Sequence, residues 1–188
     1  MRVIADLHIH SKYSRATSEK MNIDEITRFA KIKGLNLVGT GDFTHPKWLG
    51  ELKEKLVEIP DTDLYTFHKD STHQVHFMIT SEVSTIFTFE SEIKKIHHVI
   101  LTPNLETASQ INERIASHAN LSADGRPTLD MSAPQLVEEI IEVSKENVIF
   151  PSHAWTPWFS IFGAFSGFDR MEDCYQDMTK HIFALETG

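Results

Sequence analysis

Apolar residues in this chain fall into short runs at strand spacing, separated by stretches at helical spacing. Val3-Ile4-Ala5 opens the pattern as a first strand. Alternation carries Asp6, His8 and His10 to one face and Ala5, Leu7 and Ile9 to the other. Asn22-Ile23-Asp24-Glu25 reads as a capping box for a helix with the stripe Ile23, Ile26, Phe29, Ala30 and Ile32, ended by Gly34. Leu35 to Gly39 is a second strand, with Asp42 and His45 just beyond it. Trp48, Leu49, Leu52 and Leu56 are spaced for the next helix, and residues 60–71 are polar and irregular, as in a loop. Val75 to Glu82 alternates as a strand, and Thr85 to Phe89 with Ile96 to Leu101 makes a hairpin around Glu90-Ser91-Glu92.

The second half continues the alternation. Asn104 caps a helix running to about Ser117, and Asp124-Gly125-Arg126-Pro127 signals a turn. Ser132-Ala133-Pro134-Gln135 starts a helix that buries Leu136, Val137, Ile140, Ile141 and Val143. Val148-Ile149-Phe150 is a buried strand ending at Pro151-Ser152-His153. An aromatic, Gly- and Ser-containing stretch, Trp155 to Phe168, precedes a helix over 170–181 and a last strand over 182–185. Strands alternating with helices indicate an α/β fold.

Composition narrows the function classes. The 188 residues suffice for one domain, and a single cysteine, Cys174, excludes an internal disulfide framework and suits a reducing cytoplasm. No apolar run is long enough to span a membrane, and the N-terminus turns polar too early for a signal peptide. The net charge of −9 argues against binding nucleic acid by bulk electrostatics alone. It leaves room for a phosphate substrate at a site whose positive charge comes from metal ions.

Eleven histidines are many for this length, and their placement carries the chemistry. His8, His10, Asp42 or His45, Glu82 and His153 lie at or just past strand ends; one of His97 and His98 joins them from a strand start. In a parallel α/β barrel such ends converge on one face. Imidazole with carboxylate suits zinc, manganese or iron, and a bridging carboxylate such as Glu82 suits a pair of ions. Asp6 is placed to orient an imidazole from behind. Lys12 and Arg15 are candidate phosphate anchors. Singly, each of these residues is more often a core or surface residue than a ligand. His68, His73, His76, His118 and His181 are read as bystanders.

The residues also carry a resemblance. Ala5-Asp6-Leu7-His8-Ile9-His10-Ser11 resembles the opening motif of the polymerase and histidinol phosphatase (PHP) domain. Asp42, Glu82, His98 before Val99-Ile100-Leu101, and Pro151-Ser152-His153 follow in the order of that family's metal ligands. Residues 39–46 and 184–188 resemble, more specifically, the endonuclease Q family. The resemblance implies a distorted (β/α)7 barrel of PHP type with two or three divalent ions, zinc, manganese or magnesium. It implies a metal-dependent phosphodiesterase that nicks DNA 5′ of deaminated bases (hypoxanthine, uracil) or at abasic sites.

Under that reading His8, His10, Glu82, His98 and His153 hold metals, Asp42 and His45 are ligands or lie behind them, and Lys12 or Arg15 steadies the phosphate. Trp155 and Trp158 supply a wall for an extruded base; packing under a long loop is the competing reading. Three departures stand out. Arg15 replaces an acidic residue or His, and Phe43 replaces a His and cannot ligate. The family's later Asp-x-His pair would follow Gly188. The expectation is therefore a C-terminally truncated domain spanning 1–188, incomplete in barrel and metal site, with the DNA-engaging region elsewhere. The rival expectations are a small-molecule phosphatase acting on histidinol phosphate or a nucleotide, and a non-catalytic metal-binding domain.

Overall fold

A computed structural model describes residues 2–187 except His73. The bystander His73, and Gly188 at the end of one resembling stretch, lie outside the described residues. The described residues form a mixed α/β fold around one open sheet of eight strands. These are β1 (Ala5–Asp6), β2 (Leu37–Gly39), β3 (Leu56–Glu58), β4 (Tyr65–Phe67), β5 (His76–Phe89), β6 (Glu92–Thr102), β7 (Thr128–Leu129) and β8 (Val148–Pro151).

β5 is the spine. Its first residues pair in parallel with β2, which pairs in parallel with β1. The same segment takes β4 antiparallel on its other side. From Ile79 onward β5 pairs antiparallel with β6, which takes β8 antiparallel in turn. β7 adds a short parallel contact at Ser84 and Thr85. The β5–β6 turn has positive φ at both Glu90 (48°) and Ser91 (69°), the backbone that a two-residue hairpin requires.

Helices α1 (Ile23–Lys33), α2 (Pro46–Lys55), α3 (Leu105–Ile115) and α4 (Ala133–Val143) lie where the patterning places them, except that Leu56, expected in the second helix, opens β3 instead. Asn22, Asn104 and Ser132 cap α1, α3 and α4, accepting from the backbone N–H of Glu25, Thr107 and Gln135. One continuous core joins Ile23 and Ile26, Trp48 and Leu52, Phe77 and Ile79, Ile96 and Ile100, Ile111 and Ile115, Leu136 and Ile140, and Ile149. No helix among the described residues is long and apolar enough to cross a membrane.

Several expectations need correction. The expected strands at 75–82 and 85–89 are one strand, because buried Ser81, Glu82, Ser84 and Thr85 interrupt the apolar alternation without ending the ladder. β4 lies inside the expected 60–71 loop; it is only three residues long. Phe29 and Ile32 are exposed, so α1 buries Ile23, Ile26, Thr27 and Ala30 instead. The helix expected over 170–181 is α5 (Met171–Tyr175) followed by a 3-10 turn over Gln176–His181, broken by Gln176 at φ 48°.

The expected last strand is an extended tail tied to β8's end by two backbone bonds: Glu186 N–H to Pro151 C=O and Ala154 N–H to Glu186 C=O. Among the described residues no backbone bond joins this tail to residues 2–10, so the sheet stays open there. Val3, Ile4, Phe183 and Leu185 are exposed.

His97 and His98 sit in mid-β6, not at a strand start. His98 is buried among the core side chains, hydrogen-bonded to Thr85 Oγ1 (2.9 Å) and Tyr175 Oη (3.0 Å). Burial, followed by the neighbouring His97, pushes its pKa down to about 3. An unfolded histidine titrates near 6.5, so between these values the unfolded chain takes up a proton that the folded chain refuses. The stability linked to His98 is thus complete above pH 6.5 and falls by about 1.4 kcal/mol per pH unit below it. Urea midpoints measured between pH 7 and 4 in chelator should fall more steeply for the wild-type chain than for His98→Asn. Equal slopes would place the acid sensitivity in other groups.

Candidate metal centre

Glu82 lies in mid-β5 just past the register with β2, where the strand turns to β6 as its partner. Its side chain is 1 % exposed. Around its carboxylate four imidazoles converge. Oε1 lies 3.4 Å from His8 Nε2, 3.1 Å from His97 Nδ1 and 3.2 Å from His153 Nε2. Oε2 lies 3.3 Å from His10 Nε2 and 3.2 Å from Arg126 Nη1. The result is two triads, His8–His10–Glu82 and Glu82–His97–His153, sharing one carboxylate.

The far ring nitrogens are held from behind. His8 Nδ1 donates to Glu186 Oε2 at 2.8 Å, and Glu186 Oε2 also accepts the His153 N–H at 2.9 Å. His10 Nδ1 donates to Asp42 Oδ1 at 2.9 Å. His153 Nδ1 hydrogen-bonds Thr156 Oγ1 at 2.9 Å. Carboxylates behind ligating imidazoles fix ring orientation and tautomer, leaving the lone pair of the inward nitrogen for a metal.

The loop geometry that supports this is local. Asp42 adopts φ 50° and its Oδ2 accepts from Ser11 N (2.6 Å), Ser11 Oγ (2.7 Å) and Ser14 Oγ (2.9 Å). Gly41 has φ 63°, and a Cβ there would collide with the Ile9 carbonyl, so only glycine lets β2's extension pass so near His10. Trp48 Nε1 donates to the Gly41 carbonyl (2.8 Å) and pins that turn to α2.

Burial by itself would raise the Glu82 carboxyl, but the imidazoles of His10, His153, His8 and His97 gathered around it hold it far below the usual carboxylate range. Burial pulls His10 down, yet Asp42 and Glu82 outweigh it and raise the imidazole to about 9. Glu82 and Glu186 likewise outweigh burial at His8 and raise it. At His97 burial wins and lowers it.

This donor set fits divalent ions. Glu82 Oε1 is buried and, despite its near neighbours, receives no aligned hydrogen bond; a cation satisfies such an oxygen. The 3.1–3.4 Å spacings also match the roughly 3.0–3.4 Å edges of a coordination polyhedron built on ~2.1 Å metal–nitrogen distances. A shared carboxylate between two imidazole pairs is the pattern for two ions.

The expected site residues divide as follows. His8, His10, Glu82 and His153 come together. His98 does not: it faces the core, and His97 occupies the place expected of it, because His97 pairs with Ser84 and so shares Glu82's face while His98 pairs with Val83. Asp42 orients His10 instead of joining either triad. His45 stays apart, its ring stacked 4.4 Å from Tyr13, and burial lowers its pKa. Lys12 is bound to Glu51 at 2.7 Å and Arg15 to Asp124 at 3.3 Å, so neither reaches the cluster. Asp6 makes no hydrogen bond to His8 or His10; Asp42 and Glu186 take the role expected of it. Trp155 and Trp158 are 62 % and 54 % exposed, and each stacks on a phenylalanine, Phe162 (4.9 Å) and Phe165 (4.6 Å). Core packing is therefore not their role.

The chain is similar to endonuclease Q. The lesion-specific endonuclease PfuEndoQ from Pyrococcus furiosus matches over 99 % of this chain and 42 % of its own, at 35 % identity and a TM-score of 0.83. Endonuclease Q in complex with a 27-mer duplex bearing an abasic lesion at the active site matches over 98 % of this chain and 42 % of its own, at 34 % identity and a TM-score of 0.81. The uncharacterized protein MJ0043 of Methanocaldococcus jannaschii is 30 % identical over 169 residues, 89 % of this chain but 18 % of that protein. The chain thus spans about two fifths of the endonuclease Q chains and under a fifth of the archaeal relative. No protein-family model matches.

Metal titration separates the layers of the site. Glu82→Gln removes the shared carboxylate charge and should abolish calorimetric binding of manganese or zinc. Glu186→Gln leaves both triads intact and should weaken affinity by about 10- to 100-fold, the usual effect of losing an outer partner. Unchanged affinity in Glu82→Gln would sink the assignment of the centre.

Proposed function

We propose that this chain carries the phosphodiesterase site of an endonuclease Q-like, metal-dependent enzyme of PHP type, nicking DNA 5′ of hypoxanthine, uracil or an abasic site. The observation that carries the reading is Glu82 at the centre of four imidazoles, in a backbone that follows endonuclease Q over 99 % of the chain. The solved relative with an abasic duplex at its active site supports a damaged DNA substrate.

His8, His10, Glu82, His97 and His153 would hold two divalent ions, with Asp42, Glu186 and Thr156 keeping the imidazoles aimed inward. Such ions supply Lewis acidity toward phosphoryl oxygens and make water nucleophilic near neutral pH. The chain's own residues set the geometry: Glu82 keeps the two imidazole pairs on one carboxylate, and the outer acids hold the Nδ1 protons. The exposed rings of Trp155 and Trp158 flank Thr156 in the chain, the residue whose hydroxyl meets His153 Nδ1. They offer faces for unstacked bases beside the scissile position.

The test is a nicking assay on end-labelled duplexes carrying one abasic site, deoxyuridine or deoxyinosine, with manganese or magnesium added. Cleavage on the 5′ side of the lesion, reduced roughly 100-fold or more in Glu82→Gln and His153→Ala, is expected where Lewis-acid stabilisation is worth several kcal/mol. Intact duplex alongside phosphate release from a small phosphomonoester would replace the nuclease reading with a phosphatase one.

The tryptophans give a separate result. Trp155→Ala and Trp158→Ala should leave stability within about 0.5 kcal/mol because both rings are exposed. They should weaken lesion-duplex binding by about 1–3 kcal/mol per lost stack. Normal binding and normal lesion preference in both variants would rule out a base-facing role.

A further inference from the structure

Arg126 was not among the residues singled out by motif, yet it is the Lys or Arg side chain that contacts the cluster among the described residues. Its Nη1 lies 3.2 Å from Glu82 Oε2, and its side chain is about one third exposed, at the mouth of the site. Its backbone is fixed with unusual thoroughness for a loop residue. The Arg126 N–H donates to Asp124 Oδ1 at 3.1 Å. On one side Gly125 N–H donates to the Tyr13 carbonyl (2.9 Å), and the Gly125 carbonyl accepts from Thr44 Oγ1 (3.0 Å). On the other side Pro127 C=O accepts the Ser84 N–H at 2.9 Å, and β7 pairs with Ser84 and Thr85.

Gly125 itself has no room for a side chain: a Cβ would meet Asp42 Oδ2 and Ser14 Oγ at 2.5 Å. The turn is thus pressed against the same carboxylate that orients His10. Beyond this fixed backbone only the side chain is flexible, and its guanidinium, about one third exposed, reaches Glu82.

The partner it has now is one it shares with cations. Glu82 is the carboxylate common to both triads, and one carboxylate cannot neutralise two divalent ions and a guanidinium together. Like charges at that range repel strongly in a buried site. A second anion resolves the conflict, and a guanidinium's planar fork matches phosphate oxygens.

We propose that Arg126 is a phosphate-binding residue of this site, giving up Glu82 to take a phosphoryl oxygen of the substrate when the imidazoles hold metal. The inference rests on the phosphoesterase reading above but not on DNA being the substrate. It assigns to Arg126 the task that sequence position suggested for Lys12 and Arg15, both of which are engaged elsewhere by Glu51 and Asp124.

The test measures two affinities on the same variants. Calorimetric titration gives manganese binding to the metal-free chain. Inorganic phosphate titrated into the manganese-loaded chain gives anion binding without any turnover. In Arg126→Gln, manganese should bind as tightly as in the wild type or several-fold more tightly, because a competing cation is gone. Phosphate should bind at least tenfold more weakly, and Arg126→Lys should recover part of that loss by restoring charge without the fork.

Parallel loss of manganese and phosphate affinity in Arg126→Gln would make the residue a structural support for Glu82 and overturn the proposal. Unchanged phosphate affinity would overturn it as well. Weakened phosphate binding in a chain that nicks no lesion duplex would keep Arg126 as the anion site and remove only the nuclease assignment.

Discussion

A carboxylate buried at the middle of a sheet is the constraint from which the rest of this structure follows. An unpaired anion at the position of Glu82 would cost several kcal/mol after relaxation. The chain answers with four imidazoles drawn from segments far apart in sequence, and with Arg126. That gathering explains why β5 and β6 depart from a plain alternation of buried apolar and exposed polar residues. Ser81, Glu82, Ser84, Thr85, His97 and His98 are all buried. The strands pass from an apolar core layer into a polar one without ending, and the ladder continues to the Glu90-Ser91 turn.

Behind the imidazoles the outer acids have a second effect. Asp42 and Glu186 do more than set tautomers: each links a ligand to another part of the chain. Asp42 ties His10 to the end of β2 and to the Ser11–Ser14 loop. Glu186 ties His8, near the start of the chain, to the tail beside β8. The sheet is open between these two segments in its backbone, so a side-chain bridge does there what a strand ladder does elsewhere.

Much of this was legible in sequence because the relevant signals were local. Caps at Asn22, Asn104 and Ser132, the hairpin, and the alternation that puts His8 and His10 on one face all rest on neighbours within a few residues. The choice between His97 and His98 needed the hairpin register. With Phe89 opposite Glu92, even-numbered residues of β5 face odd-numbered residues of β6, which puts His97 on Glu82's side. The turn residues were visible, but their backbone conformation was not.

Arg126 and Glu186 could not be found that way. Each acts across the fold, 44 positions from Glu82 and 178 from His8. Arg126 looked like part of a turn signal, and Glu186 like the end of a strand. The tail failed as a strand for a related reason. Its apolar residues suit one, but a ladder needs a partner on the open side, and none of the described residues supplies it.

The position of the centre on that opening has an energetic consequence. His8 and His10 belong to the segment on one margin of the sheet, whereas His153 and Glu186 belong to the other, with Glu82 and His97 between them. Cations shared by the two triads would therefore fasten the two margins together. Free energy of binding to the folded state alone adds directly to the stability of that state. In the cation-free chain the same margins are held by a few charged hydrogen bonds. Of these, the His8–Glu186 pair is partly open to water, where ion pairs contribute little. The exposed apolar residues Val3, Ile4, Phe183 and Leu185 lie in these same two segments. Ions held there would therefore stabilise the open margin together with the centre, because the ligands that would hold them come from the two segments on either side of the gap.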